Sequence, residues 1–258
     1  MATKPKTVRA IHANRGVESR YRKELEALIK EMSNSAEYWM AAQYRQAPPE
    51  VAMDALPAAE MAARVRELSK RWVAKFNDMA ADIAKRFAAG SIKATDNSFQ
   101  NALNDAGWSV DFKMTRAMQD VAKAAVVENV ALIKSIPQQY FLEVEGIVMR
   151  GYTRGRDLQE ITSELQARYG ITRRRAVTIA RDQSNKLNAV TTQARRQELG
   201  ITEAIWQHSH GGKEPRKSHV AADGRKFEIA KGCLIDGKHI LPGEEINCRC
   251  VSKSVLPL

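Results

Sequence analysis

Tyr21, Leu25, Leu28, Ile29 and Met32 recur at steps of three and four, the spacing that puts side chains on one face of a helix. The face predicts a helix from about Glu18 that stops in the loop around "QAPPE". A stronger stripe follows in Met61, Val65, Leu68, Trp72, Phe76, Met79, Ile83 and Phe87, with steps that return after eleven residues. An eleven-residue repeat corresponds to about 3.67 residues per turn, so the stripe stays on one face of a nearly straight helix. This helix is expected to end at "AAGS" and to bury its stripe as core or as a seam against a partner helix. Shorter helices are expected at about 95–106, at 114–134, and after Pro137, where Phe141, Val144, Ile147 and Val148 continue the pattern. Antiparallel packing joined by short loops is the economical way to cover such faces.

Further on, Leu158, Ile161, Leu165 and Tyr169 share a face, with Gly170 placed where a helix would stop. The run "ITRRRAVTIARDQSNKLNAVTTQARRQELG" then predicts a second helix, capped by Thr172 and ended by Gly200. Beyond Gly200 the helical period disappears. Short segments "EAIWQHS", "KFEIA" and "KHIL" alternate with turns, and Asp-Gly between apolar runs signals hairpins. The fold class read from this pattern is α+β. A mainly α-helical N-terminal region (residues 17–154) precedes residues 155–258, which divide into two helices (155–200) and a small, irregular β-rich module (201–258). Residues 1–16, with Lys4, Lys6, Arg9 and Arg15 and no acid, are expected to be a flexible basic arm.

Charge changes the picture next. The 258 residues include 41 Lys and Arg against 30 Asp and Glu, a net charge of +11 that attracts nucleic acid, an anionic membrane or an acidic protein surface. Membrane spanning is not expected, because the best apolar run, "AAVVENVALI", is interrupted by Glu128 and Asn129. The N-terminal sequence lacks the apolar stretch of a secretory signal, so synthesis is expected to begin in a cytoplasm. Arg173, Arg174 and Arg175 fall in the expected first helical turn, where the macrodipole opposes cations by a few tenths of a kcal/mol each. With Arg181, Arg195 and Arg196 they form a candidate DNA- or partner-binding set.

The C-terminal module concentrates the reactive side chains. Its three cysteines are too few for an even disulfide framework and are expected to be reduced thiols or ligands. His219, Cys233, Cys248 and Cys250 could supply four zinc ligands, although no Cys-x-x-Cys pair is present and the metal assignment stays open. Cys248 or Cys233 with His219 and Asp223 would make a nucleophilic triad, without a recognisable oxyanion turn. His219 as general base with Asn247 to orient it would suit a metal-dependent nuclease, without the second histidine expected after the asparagine. The favoured reading is structural and needs no cofactor. Trp206, Phe227 and Ile246 form a small core, glycines and Pro242 set turns, and Asn247 and Arg249 bond to backbone.

In order and spacing, "RRRAVTIARDQSNKLNAV", "LGITEAIWQHS", "RKSHVAADGRKFE" and "PGEEINCRC" resemble the Mu F-like head morphogenesis family of tailed bacteriophages, across roughly residues 155–253. The residues that carry the resemblance are Trp206, Arg216, His219, Asp223, Gly224, Pro242, Gly243, Asn247, Cys248, Arg249 and Cys250. It departs at Asp182 and Gln183, where family members often carry Thr-Glu. The resemblance implies a minor head protein, present in few copies near the portal vertex and assembled in the bacterial cytoplasm into the virion head. The implied partners are the portal protein, the major capsid protein and packaged DNA, with no membrane partner. No catalytic activity is implied. Two competing readings follow from the residues: a metal-dependent nuclease built on His219 and Asn247, and a basic DNA-binding module absent from the virion.

Overall fold

The computed structural model describes residues 6–48, 55–153, 158–212 and 214–257. Its elements run β1 (Thr7–Val8), α1 (Arg15–Gln46), α2 (Ala55–Asp105), α3 (Arg116–Thr153), α4 (Leu158–Glu198), β2 (Glu203–Gln207), α5 (Lys217–Ala221), β3 (Lys226–Glu228), β4 (Cys233–Ile235), β5 (Lys238–Ile240) and β6 (Val251–Val255). The α+β class holds, with long helices preceding small antiparallel sheets. Among the described residues no helix is long and apolar enough to cross a membrane.

The helical faces are those of the hydrophobic pattern. Tyr21, Leu25, Leu28, Ile29 and Met32 are all buried along α1, and Asn14 Oδ1 caps its first turn by accepting the Val17 N–H. The α2 stripe is buried from Met61 to Phe87 except at Met79, which is 38% exposed and marks the edge of the face.

The helix ends differ from expectation in three places. α2 continues through "AAGS", because Ser91, Ile92, Thr95, Phe99, Ala102 and Leu103 extend the buried face past Gly90. α3 continues through Pro137, where Ile133, Ile136 and Tyr140 pack at 0–1% exposure and offset the lost hydrogen bond. α4 continues through Gly170 and Thr172. The Thr172 hydroxyl does not cap a new helix but donates to the Arg168 carbonyl one turn back, the bonding of a helix interior.

The described chain forms two units. One takes in Met1–Ser19, Lys85–Val126 and Ala180–Leu258; the other takes in Arg20–Ala84 and Val127–Ile179. None of these unit boundaries coincides with the expected break at 154/155: each falls inside one of the helices α1 to α4. An amphipathic helix can serve one core with one end and another core with the other, and its periodicity shows no seam.

The second unit, in its described elements, is all helix. It buries Leu25, Ile29, Phe76, Ile133, Val144 and Leu165, and two buried hydrogen bonds fix its register: Tyr21 to Asn129 and Tyr140 to Ser33. Burial raises the Tyr140 phenol to about 12.

The first unit holds the sheets. Strand order is β1-β6-β2-β3, all antiparallel, and β4-β5 form a separate hairpin. The hairpin turn is Asp236-Gly237, both at positive φ, as the Asp-Gly signal predicts. The core beneath contains Val8, Ile11, Phe99, Leu103, Trp206 and Phe227 among others.

Residues 6–16 are consequently not a free arm. Thr7 and Val8 pair with Val255 and Ser254, and Val8 and Ile11 are buried, because an apolar pair in the basic segment completes this core. Lys4 lies outside the described residues. Ile246 also departs from expectation: it is 66% exposed, whereas Trp206 and Phe227 are core.

Gly232 precedes β4 at φ +87, and a Cβ there would meet the Ile240 carbonyl oxygen at 2.9 Å. Gly232→Ala should cost roughly 2 kcal/mol or more, since left-handed backbone and a backbone clash add. A urea unfolding curve against the wild-type chain measures it.

Candidate functional site

Cys248 and Cys250 lead into β6, and in extended chain residues two apart face the same side. Arg249, between them, lines the same cavity as both cysteines. The short helix α5 brings His219 against the pair, with its imidazole buried at 3% exposure. Its Nδ1 stands 3.5 Å from Cys248 Sγ and 3.7 Å from Cys250 Sγ. On the other side, Nε2 lies 3.1 Å from Glu245 Oε2, and Arg216 Nη1 approaches the same carboxylate oxygen at 3.3 Å. With the imidazole proton on Nε2, donated to Glu245, the Nδ1 lone pair is left facing the two sulfurs.

α4 holds the loop that carries these thiols. The Asn247 N–H, at φ 60, donates to Asp182 Oδ1 at 2.7 Å, and Asn185 Nδ2 donates to the Cys248 carbonyl at 3.1 Å. Gly243, at φ +89, lets the turn approach α4 closely: a Cβ there would stand 3.1 Å from the Ala189 Cβ and 3.3 Å from the Asn185 carbonyl oxygen. Its N–H points at Cys248 Sγ, 3.4 Å away. Pro242, beside it, is buried. Arg216, at the N-terminus of α5, also donates to the Ile246 carbonyl and so ties that helix to the loop.

Trp206 backs the site, edge-on to His219 at 5.4 Å between ring centroids. Asp223 is not a partner of His219. It accepts the His208 N–H at 2.8 Å, while the Gly224 N–H, at φ +78, donates to the Trp206 carbonyl and closes the turn between β2 and β3. The triad with Asp223 is thus corrected, and the carboxylate at His219 is Glu245.

Electrostatics separates the two thiols. The hydrogen bond from Cys250, the N–H groups of Cys250 and Gly243 and the nearby imidazole outweigh burial and pull Cys248 down to about 5. The same pairing, followed by burial, pushes Cys250 well above the ordinary thiol range. Burial raises Cys233, which lies on β4 outside the cluster of His219, Cys248 and Cys250.

Chemically, a nucleophilic thiol wants one accessible sulfur aligned with one imidazole. Here two buried sulfurs share a single Nδ1, which is the arrangement of a ligand set. As general base of a nuclease His219 is poorly placed, because both its nitrogens face protein groups. Asn247 does line the same cavity, as the nuclease reading needs, but its recorded bond runs from its main chain to Asp182.

The six candidate arginines divide between the two units. Arg173, Arg174 and Arg175 lie in the all-helical unit and Arg181, Arg195 and Arg196 in the sheet-bearing one. The first three sit within α4 and not at its start, so the macrodipole does not oppose them as it would in the expected first turn. Arg173 pairs with Glu26 at 3.1 Å, Arg175 Nη2 donates to Ser135 Oγ at 2.8 Å, and Arg174 is exposed. Arg181 is half-buried.

Arg195 and Arg196 are interior residues, which corrects their place in the binding set. Arg195, 1% exposed, makes a two-pronged pair with Asp96 at 2.9 and 2.7 Å and also reaches Glu198 and the Lys113 carbonyl at 2.8 Å. Burial pulls its pKa down, but Asp96 and Glu198 outweigh that and hold it above the ordinary value. Arg196 clamps β6 through Ser254 Oγ, Ser252 Oγ and the Ser252 carbonyl, each at 2.8 Å. Burial draws it down to about 10.

Glu245, Asp182 and Asn185 are the residues that sequence reasoning missed. Glu245 was visible only as an acid in "PGEEINCRC", and Asp182 only as the place where the family pattern departs.

Residues 143–253 match the family described as phage Mu protein F like protein. An uncharacterized protein of Haemophilus influenzae is 32% identical over 242 residues, covering 92% of this chain and 52% of its own length. The chain therefore spans about half the length of that curated relative. No solved structure matches the chain.

Proposed function

We propose, from the match of residues 143–253 to the phage Mu protein F like family, that the chain is a phage head-related protein and, more specifically, a minor head protein of a tailed bacteriophage. It acts in head morphogenesis at or near the portal vertex, touching portal protein, major capsid protein and packaged DNA, and it resides in the virion head. The family match across the loop that joins α5, Glu245 and the Cys-Arg-Cys segment carries this reading. The net charge of +11 supports proximity to DNA. An assembly role is also supported by the polar residues of the site, which bond mainly to one another and to backbone.

The test is mass spectrometry of purified phage particles, with the copy number of this chain measured against the portal protein. A few copies per particle are expected. Complete absence from particles that carry a normal portal complement would overturn the virion assignment and favour a DNA-binding factor outside the particle. Plasmid cleavage that requires a divalent metal and is lost in His219→Ala would instead favour the nuclease.

A further inference from the structure

The three ligand atoms of His219, Cys248 and Cys250 all lie within 4.8 Å of one another. Zinc bonds of about 2.3 Å to sulfur and 2.0 Å to nitrogen at tetrahedral angles require sulfur–nitrogen edges of about 3.5 Å. The two observed edges, 3.5 and 3.7 Å, match. The imidazole is oriented as a ligand must be: Nδ1 faces the sulfurs and Nε2 meets Glu245, the carboxylate–histidine pairing that fixes the tautomer of metal-bound histidines. Arg216 and the loop contacts from Asp182 and Asn185 hold that arrangement without lending further ligands.

Charge balance points the same way. Two buried thiolates carry two negative charges, which one divalent cation cancels, so the loaded site adds no net charge to the interior. Two sulfurs and one imidazole are soft donors that select zinc over magnesium or calcium. A four-cysteine iron–sulfur site is out of reach for a chain with three cysteines.

We infer that His219, Cys248 and Cys250 bind one zinc ion through three protein ligands, with Glu245 as the outer partner of His219. The fourth coordination position faces the cavity of about 240 Å³ lined by His208, Asn247 and Arg249 alongside the ligands, and an exogenous oxygen fills it. The site locks α5 to the segment entering β6 and is independent of the head-protein reading, since it rests on geometry alone.

The test uses the full chain, purified reduced and free of metal, titrated with Zn²⁺ and with Co²⁺ as a spectroscopic substitute. One equivalent should bind, and Co²⁺ should give thiolate charge-transfer absorption together with the intense visible bands of four-coordination. Cys248→Ser and Cys250→Ser should each reduce the charge-transfer band, and the double variant should lose it. Glu245→Gln should weaken zinc affinity by roughly 10–100-fold while keeping the spectrum. Cys233→Ser and His239→Ala should leave stoichiometry and spectrum unchanged. Failure of the folded wild-type chain to bind, checked by circular dichroism, overturns the assignment. So does binding that survives the double cysteine variant, or binding that disappears with Cys233 or His239.

Discussion

Arg195→Met is expected to lower the unfolding free energy by about 3 kcal/mol, near the bottom of the range for breaking a buried ion pair. The residue is 1% exposed, and its removal strands the carboxylates of Asp96 and Glu198, whose side chains retain only 16% and 25% exposure. The Lys113 carbonyl loses a donor at the same time, and the Phe112 ring loses the guanidinium 4.8 Å from its centroid. The residual water access of both acids is why the figure sits low in that range. Arg195→Lys should fall between, because an ammonium keeps the charge but cannot make the two-pronged contact with Asp96. Arg174→Met, on an exposed stretch of the same helix, should stay within about 0.5 kcal/mol. Urea unfolding followed by far-ultraviolet circular dichroism compares all three. If Arg195→Met unfolds like the wild type but loses affinity for DNA, the interior assignment is wrong and the surface-binding reading of the arginines returns.

Trp206→Ala is the second large effect, expected at about 4 kcal/mol for removing a fully buried indole from a packed core. Trp206 is 1% exposed and meets both His219 and Phe227 edge-on, at 5.4 and 6.3 Å between centroids. Each such pair adds roughly 0.5–1.5 kcal/mol beyond simple area burial. Trp206→Phe should recover more than half of the loss, since a smaller ring keeps an apolar filling. The indole also forms the wall behind His219, so the alanine variant should free the imidazole. Its ring resonances in NMR should broaden or split, while those of His210, which is 72% exposed in its side chain, should not. Unchanged His219 resonances in a folded Trp206→Ala variant would show that the imidazole is held by Glu245 and the thiols alone.

Helical faces were legible because burial imposes a period that survives in the order of residues. Tyr21 to Met32 and Met61 to Phe87 are buried as their spacing predicts, with Met79 as the exception at the edge of its stripe. Helix ends were less legible, because Gly90, Pro137 and Gly170 signal termination only when local preference decides. Here buried neighbours such as Ile92, Ile136 and Tyr140 outweigh that preference.

In the candidate site, His219, Cys248 and Cys250 were legible as candidate ligands from residue type, with Cys233 counted beside them although it lies outside the cluster. Glu245 and Asp182 were not, because their partners lie 26 and 65 residues away along the chain. The same applies to Arg195, whose charge resembled a solvated face until Asp96, 99 residues distant, supplied its counterion.

The pairing of Thr7 with Val255 sets an order of events during synthesis. At roughly 5–20 residues per second, a ribosome takes about 12–50 s to travel between these two positions. Over that interval Val8 and Ile11 have no strand β6 to join, and Trp206 emerges before Leu256, which belongs to the same core. The all-helical unit draws its last residues from before Arg181, so it can mature on the nascent chain while the sheet waits for β6. A product that stops before β6 should therefore combine a folded helical unit with an apolar, unclosed sheet edge, which is the form that chaperones and proteases recognise.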